Sequence, residues 1–402
     1  MLPQILSPAK KRFIRNGETA QPSLRIPPEV FLIIVQYLPV DDKATLISML
    51  FTCRTLHNIT EELLYNDVII SDKTSKSQSL FERLAARPDL AAHVHKLEWP
   101  KKGALPIGKP LFLRLRGTRA RDQYLASIPM AISGLQSMRN VRRLTIGKLP
   151  SPSILDSIDL LVPAIGEMKL KKLSISSVRW SWSNEIIPIL RSQPGLRSLR
   201  LPWQDRWEMG EGVLIPTDIP RLVSLHCAAF TAARIVPGRP IERLLLRISP
   251  QMRWSEGAVW DNLALSAKHI SYLTFHIFDS KNIDISWILE KAATHMKYVT
   301  SLEISPMIYD NIADEMKYDC DKMTADMARF KMLQSYRAQN TVITGTLPSR
   351  AAGWSTSRTT HRASDELLRI WKEACPWLEV VIVNVHIWEW IDPHLGWGWR
   401  PL

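Results

Sequence analysis

A six-residue phrase, apolar-x-x-Leu-x-apolar, recurs along most of this chain and limits its fold more than any other feature. It reads VHKLEW from Val94, VRRLTI from Val141, LKKLSI from Leu170, LRSLRL from Leu196 and LVSLHC from Leu222. It continues as IERLLL from Ile241, ISYLTF from Ile270 and VTSLEI from Val299, with a variant, LEVVIV, from Leu378. Between Val141 and Val299 the starts lie 29, 26, 26, 19, 29 and 29 residues apart. In a chain that is 46% hydrophobic a single match is cheap, but several at near-equal spacing are not. The alternation about the central Leu gives each phrase one apolar face, as a short strand has.

This is the period of a leucine-rich repeat, in which each unit supplies one short strand and a returning helix or turn. The expected fold class is α/β: a curved parallel sheet with outer helices, wound as an irregular solenoid. Ile154–Met168 and Ile285–Tyr298 carry apolar residues at helical spacing and fit the returning helices. The gap of 47 residues from Val94 to Val141 has room for another unit around LFLRLRG at Leu111. The gap of 79 residues from Val299 to Leu378 reads as an insertion at about 306–364, helical over Asp310–Gln339 and a loop over Asn340–Ser364. The Asn that usually follows such a strand is missing, with Leu149 and Val178 in its place, hence the expected irregularity. Residues 1–22 read as a disordered basic tail, 23–70 as a helical module and 71–402 as the repeat domain.

Leu24–Ile70 is dense in apolar residues. Pro27 and Pro28 suit a first helical turn, where a missing N–H costs nothing, and Glu29 complements the helix dipole. Asp41 and Asp42 can cap a second helix carrying Leu46, Ile47 and Leu50, and a third follows around Cys53, Leu56, Ile59 and Leu63. Three short helices bury only a small core, so this segment is expected to pack on a neighbour or partner. The segment resembles an F-box. Ile26-Pro27-Pro28-Glu29-Val30 matches its opening, Ile34-x-x-Tyr37-Leu38-Pro39 its middle, and Asp42, Leu46 and Thr52-Cys53-Arg54 its end. Ile26 and Thr52 depart mildly from the usual Leu and Val. The flanks LLYNDVII at Leu63, ARPDLAAHVHKLEW at Ala86 and IWKEACPWLEVVIVNVHIW at Ile370 resemble fungal F-box proteins as well.

The resemblance implies an F-box followed by leucine-rich repeats. It also implies docking on the Skp-family adaptor of a cullin-based ubiquitin ligase, in the cytoplasm or nucleus, with the repeats choosing the substrate. The residues that would meet the adaptor are Ile26, Pro27, Val30, Ile34, Leu38, Leu46, Cys53 and Leu56. Such a chain recruits and has no catalysis of its own. Its competitors are a repeat scaffold that binds proteins outside any ligase, and a nucleic-acid-binding solenoid.

No enzyme signature interrupts this reading. The chain carries no phosphate-cradling glycine motif, no H-E-x-x-H and no nucleophile elbow. Cys53, Cys227, Cys320 and Cys375 are too far apart for a zinc or disulfide framework, so neither metal nor cofactor is expected. His93 and His95 read as strand-edge histidines, and His226 and Cys227 should face opposite sides of their strand. The longest apolar runs, such as Leu160–Ile165, fall far short of a membrane span of about 20 residues. The N-terminal charges follow a short apolar stretch, the reverse of a secretory signal. Six of the fifteen Trp fall in the last 32 residues and read as a cap over the open end of the solenoid.

The third and fifth phrase positions flank the buried Leu and face the concave side. Among them Arg143, Lys172, Arg200 and Arg243 form the candidate site for an acidic or phosphorylated target. The net charge of +13 is local: Trp99–Arg121 holds seven Lys/Arg and Met327–Ser364 six, neither with an acid. A neutral solenoid body argues against a groove built for a phosphate backbone.

Overall fold

The computed structural model describes residues 27–38, 42–70, 74–98, 132–147, 162–176, 186–202, 214–248, 257–278, 283–306, 316–338, 341–344, 361–383, 386–392 and 396–401. The chain divides into two compact units between Leu64 and Tyr65.

The first unit is built on α1 (Pro28–Gln36), α2 (Lys43–Leu50) and most of α3 (Arg54–Asn66). Pro28 opens α1 with Glu29 in its first turn. Asp42 caps α2: its carboxylate accepts from the Thr45 N–H at 3.1 Å and from the Thr45 hydroxyl at 2.7 Å. Those two bonds, the hydroxyl's first, hold the Asp42 carboxyl below the usual carboxylate range. The buried core is Val35, Leu46 and Leu56, with Phe31, Leu38, Met49, Ile59, Leu63 and Leu64 packed around it.

In the second unit one sheet carries the whole length. Its strands are β1 (Asp67–Ile69), β2 (Lys96–Glu98), β3 (Arg143–Ile146), β4 (Lys172–Ile175), β5 (Ser198–Arg200), β6 (Ser224–Ala228) and β7 (Arg243–Ile248). They continue as β8 (Tyr272–Ile277), β9 (Ser301–Pro306), β11 (Ser335–Ala338) and β13 (Val380–Val383). All eleven are parallel and lie side by side in chain order; β14 (His386–Asp392) and β15 (Gly396–Pro401) then add antiparallel at the end. The returning segments are α4 (Thr74–Ala86), α5 (Pro88–Ala92), helical turns α6 at 132–137 and α7 at 162–166, α8 (Ile187–Arg191) and α9 (Ala229–Ile235). α10 (Gly257–Ala264), α11 (Ile285–His295), α12 (Cys320–Ala328) and α13 (His361–Ala374) complete them.

The phrase explains the register. Its central Leu residues are direct partners across the sheet: Leu97, Leu144, Leu173, Leu199, Leu225, Leu244, Leu273 and Leu302. All are buried in one continuous core with the inner faces of the helices. The second position makes the ladder between units. The His95 carbonyl accepts the N–H groups of both Arg142 and Arg143, at 2.9 and 3.1 Å, and the pattern repeats to Gln334, which accepts from Glu379 and Val380. A parallel sheet with one strand per unit, joined this way, is a leucine-rich-repeat solenoid.

Three expectations need correction. The stretch read as an insertion contains a full repeat: Leu333-Gln-Ser-Tyr336-Arg-Ala338 places β11 between β9 and β13, with Tyr336 in the Leu slot. Tyr336 is buried there, and burial, with Asp326 nearby, pushes its phenol pKa up. Nor is Asp310–Gln339 one helix; its described part runs strand β10 (Met316–Asp319), α12, β11, and β10 pairs in parallel with β12 (Thr341–Thr344) inside the stretch read as a loop. The unit expected at Leu111, the tail 1–22, Leu149 and Val178 lie outside the described residues. Val68 and Ile70, taken from sequence as the end of the helical module, belong to the core of the repeat unit.

Buried polar side chains replace the missing Asn. Gln193 accepts from the Leu170 N–H at 2.8 Å and donates to the Ile165 carbonyl at 3.1 Å, tying one unit's turn to the previous one. Ser266 donates to the carbonyls of Arg239 and Ile241 at 3.0 and 3.2 Å. Replacing Gln193 with Leu strands a buried N–H and a buried carbonyl, so a loss of about 1–3 kcal/mol is expected in denaturant unfolding. An unchanged midpoint would show that water takes over both groups.

Candidate functional site

α1 is apolar on two sides. Phe31, Val35 and Leu38, at spacings of four and three, turn inward to the small core. Val30, Ile33, Ile34 and Tyr37, at helical spacing on another face, are left in solvent, with Ile33 52% and Tyr37 86% exposed. Ile47 and Phe51 add to this apolar exposure, Phe51 at 84%. Of the residues taken from the motif, Pro27, Val30, Ile34 and Cys53 are exposed and Leu38 is half-buried. Leu46 and Leu56 are core, so they hold the three helices together rather than face outward. Ile26 lies outside the described residues.

On the repeat sheet, positions three and five stand on the face away from the Leu core, as β8 shows with its alternating pattern of burial. Arg143 and Lys172 are exposed neighbours across β3 and β4. Arg243 sits three strands beyond Lys172, about 14 Å at the usual strand spacing, with its guanidinium 4.9 Å from the Tyr272 ring centroid. Lys96, next to Arg143, is neutralised by Asp67 at 2.7 Å. The four predicted cations therefore do not form one patch.

Arg200 belongs to a different group. It is half-buried on β5 beside its register partner His226 on β6. The longer strands β7 and β8 add a seventh position, occupied by Arg247 and His276, which are register partners. The imidazoles of His226 and His276 meet edge to face across β7, with centroids 5.8 Å apart. Arg247 is only 2% exposed and lies 4.8 Å from the Phe278 ring centroid. Burial first, then the charges of Arg200 and Arg247 and the neighbouring imidazole, push His226 down to about 3. Burial, then Arg247 and Arg200, push His276 down to about 4. Burial also lowers Arg200. Arg247 and His276 were missed from sequence because the phrase was read to six residues. The signal was present: Arg-Ile and His-Ile extend the alternation of IERLLL and ISYLTF by two residues.

Other candidates resolve into structure. Cys227 faces the core, opposite His226, and burial raises its thiol pKa. The His95 ring nitrogen Nδ1 is 2.8 Å from the His93 carbonyl, a local turn contact. Among the described residues no group of three His, Cys, Asp or Glu could hold a metal, and no helix is long and apolar enough to cross a membrane. Of the basic residues in Met327–Ser364, Arg329 pairs with Glu290 at 3.1 Å and Arg337 with Glu303 at 3.6 Å. The other basic run, Trp99–Arg121, lies outside the described residues. Of the C-terminal tryptophans, Trp371 is buried in the core while Trp377 is exposed.

No family model and no curated protein matches the chain. Among solved structures it is similar to the leucine-rich-repeat-containing protein LegL7 from Legionella pneumophila, at 13% identity and a TM-score of 0.40, over 78% of this chain and 91% of that one. It is also similar to internalin C2 from Listeria monocytogenes, at 11% identity and a TM-score of 0.27, over 67% of this chain and 92% of that one. The repeat fold itself rests on the register and ladder described above.

Proposed function

We propose that this chain is the substrate-recognition subunit of a cullin-based ubiquitin ligase, docking through its N-terminal helices on a Skp-family adaptor and holding a target protein on the repeat sheet. One observation carries the reading: α1 presents Val30, Ile33, Ile34 and Tyr37 to solvent on a unit in which, among the described residues, the buried apolar core is Val35, Leu46 and Leu56. Uncovered apolar stripes of that kind mark a partner surface. The order and spacing of Pro27-Pro28-Glu29-Val30, Ile34-x-x-Tyr37-Leu38-Pro39 and Thr52-Cys53-Arg54 resemble the F-box and name the partner. The chain then acts by proximity, bringing a target to a conjugating enzyme supplied by other subunits.

The test is capture of the full chain by purified Skp-family adaptor. Val30→Asp with Ile34→Asp is expected to weaken capture by at least about tenfold, as loss of apolar anchors at an interface does. Its unfolding midpoint should stay close to wild type, since both side chains are already in water. A wild-type chain that the adaptor ignores would leave a repeat scaffold working outside any ligase.

A further inference from the structure

We propose that the edge of the repeat sheet where β8, β9, β11 and β13 begin docks an acidic amphipathic helix of the target protein, on a ridge of His269, Tyr298, Met332 and Trp377 flanked by Lys297 and Lys331. This refines where the repeat unit holds its target and rests on reading that unit as the part that binds it.

The turns that lead into the strands force the ridge outward. In three units a buried pair brackets two residues: Met296 and Val299 around Lys297-Tyr298, Phe330 and Leu333 around Lys331-Met332, Cys375 and Leu378 around Pro376-Trp377. The N–H of the last residue donates to the carbonyl of the first, at 3.4, 3.2 and 2.9 Å, and closes the turn. With both ends anchored in the core, the two middle side chains are left in water. His269 holds the equivalent place before β8 and is exposed as well. Three residues further on, Tyr272, Ser301, Ser335 and Val380 are register partners, so the ridge residues follow one another across adjacent strands. The rings of His269 and Tyr298 already stack, with centroids 3.8 Å apart. Tyr298 is 51% exposed, Met332 41% and Trp377 58%. Large apolar side chains held in a row in water, where packing asks nothing of them, mark a partner surface.

Charge and spacing select the occupant. From Val94 to Leu378 the two residues before each phrase never include a carboxylate. Of the cations there, Lys268 is held by Glu242 at 2.5 Å, Arg139 approaches Glu167 at 4.0 Å, and Arg239 is buried. Among the described residues Lys297 and Lys331 have no ion-pair partner, and Lys169 and Arg221 add exposed cations farther along the edge. The acids nearby are engaged: Glu290 with Arg329 at 3.1 Å, Asp261 with His295 at 3.2 Å. Glu379, beyond Trp377, acts on Lys372, whose ammonium donates to the Leu378 carbonyl at 2.8 Å. The ridge therefore lies in a positive edge, and carboxylates are what a partner has to bring. Its four rungs span three strand steps, about 14 Å. A helix returns an apolar residue to one face about every 5 Å, close to the strand spacing of about 4.8 Å, whereas an extended segment repeats about every 6.6 Å and drifts out of step. A single nucleic-acid strand is the poorer fit, because Met332 interrupts the rings on which bases would stack.

The test uses the full chain and a labelled model helix of about 15 residues, with Leu at i, i+4, i+7 and i+11 and Glu along both flanks, followed by fluorescence polarisation. Binding should be saturable and weaken as salt is raised. Tyr298→Ser with Trp377→Ser should weaken it at least about tenfold, with an unfolding midpoint close to wild type because both side chains are already in water. Lys297→Glu with Lys331→Glu is the second variant; it should weaken binding severalfold at low salt and less at high salt, and it keeps the test alive should the first fail to fold. A peptide with Lys in place of Glu, or with its Leu positions scrambled, should bind more weakly. No saturable binding, equal binding of either control peptide, or binding untouched by both variants overturns the site. A dimer in sedimentation that Tyr298→Ser with Trp377→Ser dissociates would make a second copy the occupant and overturn the target helix. So would competition by a single-stranded oligonucleotide stronger than that of the unlabelled peptide. Adaptor capture through α1 is a separate measurement, so failure here leaves that result standing, and the reverse.

Discussion

Replacing Trp371 with Ala is expected to cost about 3–5 kcal/mol, the range for removing a fully buried large aromatic side chain. Trp371 lies on α13 and is 1% exposed. Its ring meets Tyr336 edge to face at 6.1 Å, and its indole N–H donates to the Thr324 hydroxyl at 3.0 Å. Truncation therefore opens a cavity and removes contacts to β11 and α12 together. Units of a solenoid touch only their neighbours, so the loss should be local. Hydrogen exchange is expected to quicken over α12, β11 and β13 and to stay close to wild type over β3 to β6. Uniform loss across the sheet would show that the repeats unfold as one block. Phe serves as the milder control, since it keeps most of the ring contact and gives up the bond to Thr324.

Acid should destabilise the chain well above the carboxylate range. His226 is held at about 3 and His276 at about 4, against an ordinary value of 6.5. Below 6.5 the unfolded chain takes up protons that the folded chain refuses, so stability falls as pH falls. The contribution is fully present above 6.5 and is lost progressively toward the folded values. Between pH 7.5 and 5 the two groups together are expected to remove about 2–4 kcal/mol, the lower figure allowing for solvent around the more exposed His276. Asp42 and Asp89, both held below their ordinary value of 3.8, act only at lower pH and leave this window clear. Denaturant titrations of wild type and of His226→Gln with His276→Gln measure it. The double variant should lose most of the slope; an unaltered slope would place the proton uptake elsewhere.

The repeat was legible because its signal is periodic and redundant. Eight Leu-centred phrases carry the same instruction, and each central Leu lands on its neighbour in register. The three N-terminal helices were legible for a local reason, since Pro28, Glu29 and Asp42 mark helix starts that need no tertiary support. The ninth strand of the phrase type, β11, escaped because Tyr336 and Ala338 stand where Leu and a larger apolar residue were sought. A Leu slot is defined by the volume of its pocket, and here Trp371 and Tyr336 share that volume across 35 residues of sequence. The pairing of β10 with β12 was invisible for the same reason: a strand is stabilised by a partner distant in the chain.

The candidate sites divide in the same way. Periodicity on α1 shows apolar residues on several faces of the helix, but only the fold decides that Phe31, Val35 and Leu38 fill the core while Val30, Ile33, Ile34 and Tyr37 stay in water. The motif set Leu46 and Leu56 beside Val30 and Ile34, and burial separates them. On the sheet, alternation alone told which side chains leave the Leu face, and Arg143, Lys172, Arg200 and Arg243 are exposed or half-buried there. Which of them lie side by side was decided in three dimensions. Strand length admits Arg247 and His276, and lateral register sets Arg200 beside His226, while Lys172 and Arg243 end up three strands apart. Sequence by itself determined the repeat, the helix starts and, on the repeat strands, the face each side chain takes, because those follow from periods along one chain. Neighbourhood, burial and the charge state of the two histidines came only from the tertiary structure, because they depend on what other strands bring to the same place.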